Sequence, residues 1–360
     1  MNISWIKYPL NFKFEAGTSR GVLTSKTSYL IFVRNEAGST GIGECSLLPG
    51  LSMDDRPDID VQLENLCTNL SQLQINDMDK LLSFLDEQIG NSWPSLRMGF
   101  ETAFLDLIQG GKRVIFQNGF LNGDGIPING LIWMGDRKFM LGQLKQKIDA
   151  GYSCIKMKIG ALDFNTELDL LRYVRERFPA SDLTLRVDAN GAFSAHDVMD
   201  KLVQLEKLKI HSIEQPIKPG QWEQMYDLCR KTPVPIGLDE ELIGENDIAR
   251  KKNLIESIKP QYLILKPSLL GGFKASNEWI EIAEPLGVGW WITSALESNI
   301  GLNAICQYTY GLGVSGEQGL GTGQLFSNNI GSPLEVLHGY IRYNGNKTWE
   351  LSDLGIEGIQ

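Results

Sequence analysis

The stretch Leu183-Thr-Leu-Arg-Val-Asp188 decides the fold class, because it is a short apolar run that ends in an acid and has counterparts along the second part of the chain. Such runs alternate with segments of helical periodicity from about residue 126 onward. A buried strand followed by a helix at regular intervals is typical of a parallel (β/α) barrel. We therefore expect an α/β protein with eight strand positions. The candidate strands are 127–133, 153–159, 183–188, 210–214, 235–239, 261–266, 288–293 and 313–318, and the candidate helices include 164–178, 195–208 and 272–285.

A different pattern precedes the barrel. Residues 3–14 and 27–34 carry the alternating or continuous apolar residues of strands, and residues 54–111 carry leucines at helical spacing. This pattern predicts an α+β unit that caps the barrel. The last segment is rich in Asn and Gly and breaks the βα rhythm, so we expect it to pack back onto the first unit. The expected domains are residues 1–120 completed by about 325–360, and residues 121–324.

The composition of the 360 residues is that of a globular protein, with 42% hydrophobic and 22% charged residues. The net charge of the chain is −10, which argues against the basic surface that binds nucleic acids, so we expect no such partner. The apolar run at residues 29–33 is too short to cross a membrane, and residues 1–7 lack the features of a signal peptide. We therefore expect a cytoplasmic protein without a membrane partner.

The cysteine and histidine content restricts the chemistry. Five cysteines are spread along the chain without a C-x-x-C pair, which predicts reduced, structural thiols. Three histidines, His196, His211 and His338, lie apart in the sequence. This distribution disfavours a histidine-rich metal site and a Ser-His-Asp triad.

Charged residues end five successive candidate strands, where the catalytic groups of such barrels lie. They are Lys158, Asp188, Glu214, Asp239 and Lys266, separated by 30, 26, 25 and 27 residues. One βα unit thus separates each residue from the next. A single acid at a strand end is usually a helix N-cap, but barrel interiors are otherwise filled with apolar side chains. Five charges in this arrangement therefore indicate a functional site.

Asp188, Glu214 and Asp239 end three neighbouring strands, so their carboxylates should converge. Three acids at close range stay ionised together only beside a cation. Because these ligands are hard oxygens without His or Cys, we expect Mg²⁺, with Mn²⁺ as a substitute. Lys158 and Lys266 lie four strands apart in a ring of eight and should face each other across the metal. A partly desolvated lysine near a cation can have its pKa lowered enough to act as a base.

Lys156 and Arg20 are two further candidates. Lys156 shares a strand face with Lys158, by the two-residue period of a strand. Arg20 lies in the glycine-flanked stretch Gly17-Thr-Ser-Arg-Gly21. It is either a surface charge or, if that loop folds over the barrel mouth, a ligand for a substrate anion. The sequence leaves both interpretations open.

The set Lys-x-Lys, Asp, Glu, Asp, Lys at successive strand ends resembles the enolase superfamily, in its muconate-lactonising-enzyme-like branch. The resemblance covers nearly the whole chain and implies a modified TIM barrel of (β/α)7β type with an N-terminal α+β capping domain. Further stretches are similar to the members of that branch that dehydrate a hydroxycyclohexadiene carboxylate bearing a succinyl chain, in menaquinone biosynthesis. They are Gly43-Glu-Cys-Ser-Leu-Leu-Pro-Gly50, Lys266-Pro-Ser-Leu-Leu-Gly-Gly272 and Thr293-Ser-Ala-Leu-Glu-Ser-Asn-Ile-Gly301.

This resemblance implies a lyase that performs a syn dehydration on a small carboxylate substrate. Lys158 would remove the proton α to the carboxylate, the metal would stabilise the enediolate, and Lys158 would then assist loss of the β-hydroxyl. Lys266 would contact the intermediate as a cation, and Lys156 would help to lower the pKa of Lys158. Ser294, after the seventh strand, would contact the succinyl carboxylate.

Other functions stay open from the sequence. A dipeptide epimerase or N-acylamino acid racemase would use both lysines as bases, and a cycloisomerase of the same branch would act on muconate-type lactones. The stretch Gln318-Gly-Leu-Gly-Thr322 lacks the D-x-D motif with which dipeptide epimerases of the branch bind an ammonium group, which disfavours that activity. A catalytically inactive barrel that only binds a ligand is the non-enzymatic alternative. The sequence is also compatible with a homo-oligomer.

Overall fold

The computed structural model describes residues 1–18, 21–72 and 78–355. Within these residues, a three-stranded antiparallel sheet and three helices lead into a seven-stranded parallel sheet, and a second three-stranded sheet lies beside it. Arg20 lies outside the described residues.

An antiparallel sheet opens the chain, because residues of its strands follow the two-residue apolar period or continue as apolar runs. Its strands are β1 (Asn2–Thr18), β2 (Gly21–Arg34) and β3 (Thr40–Ser46), in the order β1-β2-β3. Three helices follow, α1 (Ile59–Leu70), α2 (Met78–Ile89) and α3 (Pro94–Ile108). α3 begins at a proline, where the missing N–H removes no helical hydrogen bond. The expected α+β unit is therefore present.

α3 lies directly against β3, and glycines permit the close approach. A Cβ added to Gly43 of β3 would overlap the carbonyl oxygen of Gly99 in α3, and a Cβ added to Gly41 would overlap that of Ala103. Any larger residue at these two positions would push the helix off the sheet.

Seven parallel strands form the barrel sheet and neighbour one another in sequence order. After β4 (Ile126–Pro127), they are β5 (Gly130–Ile132), β6 (Cys154–Lys158), β7 (Thr184–Asp188), β8 (Ser212–Glu214), β9 (Ile236–Leu238), β10 (Tyr262–Leu265) and β11 (Gly289–Ile292). The helices between and after them are α4 (Arg137–Asp149), α5 (Phe164–Arg175), α6 (Val198–Glu206), α7 (Trp222–Lys231), α8 (Ile248–Ile258), α9 (Pro267–Leu270), α10 (Gly272–Ala283) and α11 (Asn299–Gly311).

Side-chain caps determine where several of these helices begin. Asp136, Asp163, Asp247 and Ser298 each precede a helix and accept a hydrogen bond from a backbone N–H of its first turn. Such caps satisfy N–H groups that have no partner inside the helix. They therefore stabilise the first turns of these helices.

The eighth strand position of the barrel is filled by a short bridge. Gln318 pairs with Ile128 next to β5, and Gly319 pairs with Thr293 at the end of β11. Among the described residues of this region, the two β-bridges thus lie at and directly after the C-terminal end of the predicted strand 313–318. The predicted strand 127–133 is also divided, because β4 joins a different sheet from β5.

The segment after the barrel contacts both parts of the molecule. β12 (Leu334–Leu337) and β13 (Tyr340–Tyr343) form a hairpin, and β13 pairs with β4. Outside the hairpin, Phe326 pairs with Phe12 of β1, and Leu351 packs in one apolar cluster with Phe32 of β2. We propose domain boundaries at residues 1–120 with about 325–360, and 121–324, with the hairpin attached to the start of the barrel.

One buried apolar cluster extends from α1 and α3 through the barrel strands. This shared core holds the capping unit against the barrel. The five cysteines are all buried and unpaired. Among the described residues, no helix has the length and apolar character needed to cross a bilayer.

Candidate active site

Three carboxylates meet at the C-terminal end of the barrel. Asp188 and Glu214 are the last residues of β7 and β8, and Asp239 directly follows β9. Parallel pairing places Asp188 beside Glu214. One carboxylate oxygen from each of the three residues lies within 4.8 Å of the others, and all three residues are buried. The acids thus converge as their strand positions suggest.

Lys156 and Lys158 of β6 contact this acid cluster from one side. The Lys156 Nζ donates to Glu214 Oε2 at 2.6 Å and lies 3.2 Å from Asp188 Oδ2. The Lys158 Nζ lies 3.1 Å from the same Asp188 oxygen and donates to Asn190 Oδ1 at 2.7 Å. The two lysines therefore share Asp188 but have different second partners.

Lys266 contacts the acid cluster from the opposite side. It follows β10, four strands from β6, and its Nζ donates to Asp239 Oδ2. Lys158 and Lys266 thus bind different acids and flank the cluster. A ligand bound over the acids would lie between two ammonium groups.

Burial and neighbouring charges shift the pKa values of these lysines in different directions. Burial lowers the pKa of Lys158, and the positive charges of Lys156 and Lys266 add to this effect, while Asp188 opposes it. Burial also acts to lower the pKa of Lys156, but Glu214 and Asp188 outweigh it, so this pKa is raised. The lowered pKa makes Lys158 the better candidate for a base.

The acid cluster is suited to a divalent cation. Burial raises the pKa of Glu214, and the charges of Asp188 and Asp239 raise it further, although Lys156 opposes them. The Oε1 of Glu214 is buried and has no hydrogen-bond partner in the part of the chain that the structure describes. A buried carboxylate oxygen without a partner is costly unless a ligand satisfies it. Three hard oxygen donors this close together are the kind of ligand set that divalent cations such as Mg²⁺ and Mn²⁺ take.

A cavity over the acid cluster is lined by both parts of the chain. Its floor and sides include Lys158, Lys266 and Trp133 of the barrel. The capping unit contributes Gly21, Val22, Leu23, Leu48, Pro49 and Leu51. These apolar residues cover the charged end of the barrel and limit the access of water to it.

Ser294 lines this cavity, but its hydroxyl group already has partners. The Ser294 Oγ donates to Glu297, and it accepts from Thr322 Oγ1 at 2.6 Å and from the backbone N–H of Leu296 at 3.0 Å. A hydroxyl has one proton to donate. The Ser294 hydroxyl can therefore donate to a substrate anion only if it releases Glu297. The expected role of Arg20 stays a prediction, because that residue lies outside the described part of the chain.

Two residues of the site were not among the candidates from the sequence. Asn190 accepts from Lys158, and its Nδ2 donates to Glu240 Oε1 at 3.0 Å. Trp133 places its ring centroid 5.6 Å from the Lys158 Nζ, within cation–π distance. Both residues lie just beyond strand ends, so a search of all polar and aromatic residues at these positions would have found them. A pattern restricted to charged residues does not find an amide or an indole.

Known proteins are similar to this chain over nearly its whole length. Residues 140–346 match the family model described as enolase C-terminal domain-like. An o-succinylbenzoate synthase of Desulfotalea psychrophila is 45% identical, over 93% of this chain and 97% of the relative. The crystal structure of MenC from D. psychrophila has a TM-score of 0.85 and 40% identity, and the match covers 95% of this chain and 99% of that chain. A muconate lactonizing enzyme of Pseudomonas fluorescens, solved with muconolactone, has a TM-score of 0.81 and 21% identity, with 98% and 97% covered.

The chain belongs to the enolase superfamily, as the matched domain and the identity to a full-length relative show. Its fold is that of the muconate-lactonising branch, a modified (β/α) barrel with an N-terminal α+β cap. Within the family, the sequence is similar to o-succinylbenzoate synthase. The expected family and fold class are confirmed.

Proposed function

We propose that the chain is an o-succinylbenzoate synthase of menaquinone biosynthesis. This activity makes it a carbon–oxygen lyase, which removes water from a succinyl-hydroxycyclohexadiene carboxylate. The observation that carries the proposal is a buried cluster of three carboxylates flanked by two lysines, in a chain 45% identical to a synthase of that name. A non-catalytic barrel has no need for such a set of buried charges, which is costly to desolvate.

Removal of the proton α to the carboxylate is assigned to Lys158. Burial lowers the pKa of this lysine, so its neutral amine is more accessible than that of an exposed lysine. Asn190 and Asp188 hold its Nζ at 2.7 and 3.1 Å, which fixes the direction from which the base approaches. A base positioned in this way speeds proton transfer by about 10²–10⁴-fold.

The same lysine can complete a syn elimination. Lys158 takes the proton as the C–H bond breaks, and it returns that proton to the β-hydroxyl, which leaves as water from the same side of the ring. The electron pair of the former C–H bond forms the new C=C bond, and the ring becomes aromatic. No second base is required for this sequence.

Lys266 is assigned the role of a cation on the other side of the ring. Burial acts to lower its pKa, but Asp239 and Glu240 outweigh this effect, so the pKa is raised. A lysine that stays protonated can stabilise negative charge and contact a ring face. It is a poor base at the same pH.

Asp188, Glu214 and Asp239 would hold Mg²⁺, with Mn²⁺ as a substitute. When bound, the cation supplies positive charge that stabilises the dianion produced by loss of the α-proton. The contribution of the chain is to keep the carboxylates ionised and oriented. Lys156 does this by its 2.6 Å hydrogen bond to Glu214 and its proximity to Asp188.

The substrate's ring and chain would lie in the cavity between cap and barrel. Leu23, Leu48 and Leu51 provide an apolar cover, while Ser294 lies on the barrel side. Arg20 is a proposed contact for the distal carboxylate, and Ser294 is a second one that requires its hydroxyl to release Glu297. We further propose a cytoplasmic location, which the five buried, unpaired cysteines support.

The test is to incubate the purified protein with the hydroxycyclohexadiene substrate and Mg²⁺ and to follow the loss of the diene absorbance. We expect turnover that disappears after treatment with a chelator and returns when Mg²⁺ is added. Absence of turnover in a protein that is folded and binds the metal would contradict the proposal.

A racemase or epimerase is separated from this activity by solvent isotope exchange. A two-base racemase incorporates deuterium at the α-carbon of an N-acylamino acid or dipeptide during turnover in D₂O. We expect dehydration to be much faster than such exchange, because Lys158 and Lys266 have pKa shifts in opposite directions.

A further inference from the structure

Gln215 follows the proposed metal ligand Glu214 and is fully buried. Its φ of 35° lies in the left-handed region, which is uncommon for a residue with a side chain. This conformation turns its carbonyl towards the loop after β7, where it accepts from the backbone N–H of Gly191 at 2.7 Å. The backbone N–H of Gln215 donates to Gly237 of β9 at 2.9 Å. The residue thus links the ends of three neighbouring strands.

The turn of the carbonyl has a consequence for Asp239. The N–H of Gln215 donates to the carbonyl of Gly237. In a regular parallel ladder, the N–H of Asp239, two residues further along the chain, would then donate to the backbone carbonyl of Gln215. That carbonyl points to Gly191 instead. The side-chain Oε1 of Gln215 takes its place and accepts from Asp239 N at 3.2 Å.

The remaining hydrogen bonds of the Gln215 amide complete the arrangement. Its Oε1 also accepts from Glu241 N at 3.3 Å, and its Nε2 donates to Glu241 Oε2 and to the carbonyl of Ile217, both at 3.0 Å. Every donor and acceptor of the amide is therefore used. Because the Nε2 faces two acceptors and the Oε1 faces two N–H groups, the orientation of the amide is unambiguous.

We propose that Gln215 is a positioning residue for the metal, which sets the spacing of the carboxylates of Asp188, Glu214 and Asp239. Its main chain holds the end of β8, which carries Glu214, against the segment after Asp188, and its side chain holds Asp239. Gln215 is not among the described residues that line the cavity over the acid cluster. This inference rests on the proposed metal site. Groups that orient metal ligands typically affect metal affinity by 10–100-fold when they are replaced.

The test compares Mn²⁺ and Mg²⁺ binding by calorimetry, with metal-free full-length protein as the starting material. Gln215→Met removes the amide but keeps an unbranched side chain, and we expect a Kd about 10–100-fold weaker than that of the wild type. Gln307→Met is the matched control. Gln307 is also fully buried, and its amide accepts from two backbone N–H groups and donates to a carbonyl, but it lies on α11 and is not part of the site. This control should lower the melting temperature and leave the metal Kd unchanged.

A second pair of variants tests the inference even if Gln215→Met folds poorly. Gln215→Glu places a carboxylate against the carboxylate of Glu241, so metal binding should weaken. Adding Glu241→Gln restores a donor–acceptor pair between the two side chains, although the bond to the carbonyl of Ile217 stays lost. The Kd should therefore recover in part, by about tenfold relative to Gln215→Glu.

The outcomes separate this inference from the proposed function. Wild-type Kd values in Gln215→Met, or no recovery in the double variant, would overturn the positioning role while the metal site stands. A wild-type protein that binds neither Mn²⁺ nor Mg²⁺ would overturn the metal site and the inference together.

Discussion

The Nζ of Lys26 in β2 lies 2.9 Å from the carbonyl oxygen of Leu296, in the loop after β11. This hydrogen bond joins the capping sheet to the barrel at the edge of the cavity, which Leu296 lines. Leu296 has a φ of 62°, a left-handed conformation that is strained for a leucine. Burial lowers the pKa of Lys26, and the carboxylates of Glu44 and Glu297 oppose that shift. A buried lysine thus holds a strained residue in the cavity wall.

Replacing Lys26 with Met should destabilise the protein and weaken substrate binding. The change leaves Glu44 and Glu297 buried without a neighbouring cation, so we expect a loss on the order of 3 kcal/mol in the free energy of unfolding. KM should rise because Leu296 is no longer held in place. Urea unfolding and steady-state kinetics measure the two effects. The control Lys7→Met removes an exposed lysine of β1 and should change stability by less than about 1 kcal/mol; equal effects of both variants would refute this role of Lys26.

Lys158→Ala should abolish dehydration without unfolding the chain. The assigned base is absent from this variant, so kcat should fall by at least about 10²-fold. The diene absorbance assay measures the rate, and circular dichroism verifies the fold. Lys138→Ala, which removes an exposed lysine of α4, should retain wild-type kinetics. A wild-type rate in Lys158→Ala would rule out this residue as the base.

Asp239→Asn should lose metal affinity as well as turnover. The amide keeps the shape of the side chain but removes one of the three negative charges that converge at the acid cluster. We expect at least a tenfold weaker Kd for Mn²⁺, measured by calorimetry. Asp227→Asn is the control, because Asp227 lies exposed on α7 and its ion pairs are on the surface. If both variants bind Mn²⁺ equally well, Asp239 is not a ligand.

Glu101 should make stability depend on pH. Burial against α10 raises its pKa to about 7 from the usual 4.5, although Arg97 opposes the shift. The folded state therefore binds this proton more tightly, and the resulting stabilisation is complete below about pH 4 and is lost as the pH rises through 7. Glu101→Gln cannot titrate, so the wild type should lose on the order of 3 kcal/mol relative to this variant between pH 4 and pH 8.

Urea unfolding across this pH range measures the difference. Glu87→Gln removes an exposed carboxyl group of α2 and should follow the wild-type curve. Parallel curves for the wild type and Glu101→Gln would show that Glu101 has an ordinary pKa.

Gly43→Ala should disrupt the contact between cap helix and sheet. The added Cβ would overlap the carbonyl oxygen of Gly99, so α3 must move away from β3. We expect a destabilisation of about 1–3 kcal/mol, as for other overpacked cores. Gly142→Ala is the matched control, because Gly142 lies on α4 with open space around it. That change should stabilise the chain by about 0.5–1 kcal/mol. Thermal unfolding of both variants distinguishes these opposite signs.

The charged part of the site could be predicted from the sequence for a geometric reason. Strands of a parallel barrel end at the same edge, so acids spaced by one βα unit, such as Asp188 and Glu214, must be neighbours. The eighth strand was harder to predict, because the pairing at Gln318 and Gly319 involves too few residues to produce a periodic pattern of apolar residues. The contacts of Ser294 could not be predicted, because its partners lie outside the βα pattern: Glu297 is in the loop before α11, and Thr322 is in a short 3-10 helix, Gly321–Leu325.

By itself, the sequence determined the alternation of strands and helices in the barrel, the presence of the capping unit and the five charged strand ends. These features follow from local periodicity, which neighbouring residues encode. Tertiary structure alone decided which groups the side chains reach: Lys26 bonds to a carbonyl 270 residues away, and the amide of Gln215 replaces its own carbonyl as the acceptor for Asp239. Such contacts depend on the φ angle of one residue and on the packing of distant loops, and neither leaves a periodic pattern in the chain.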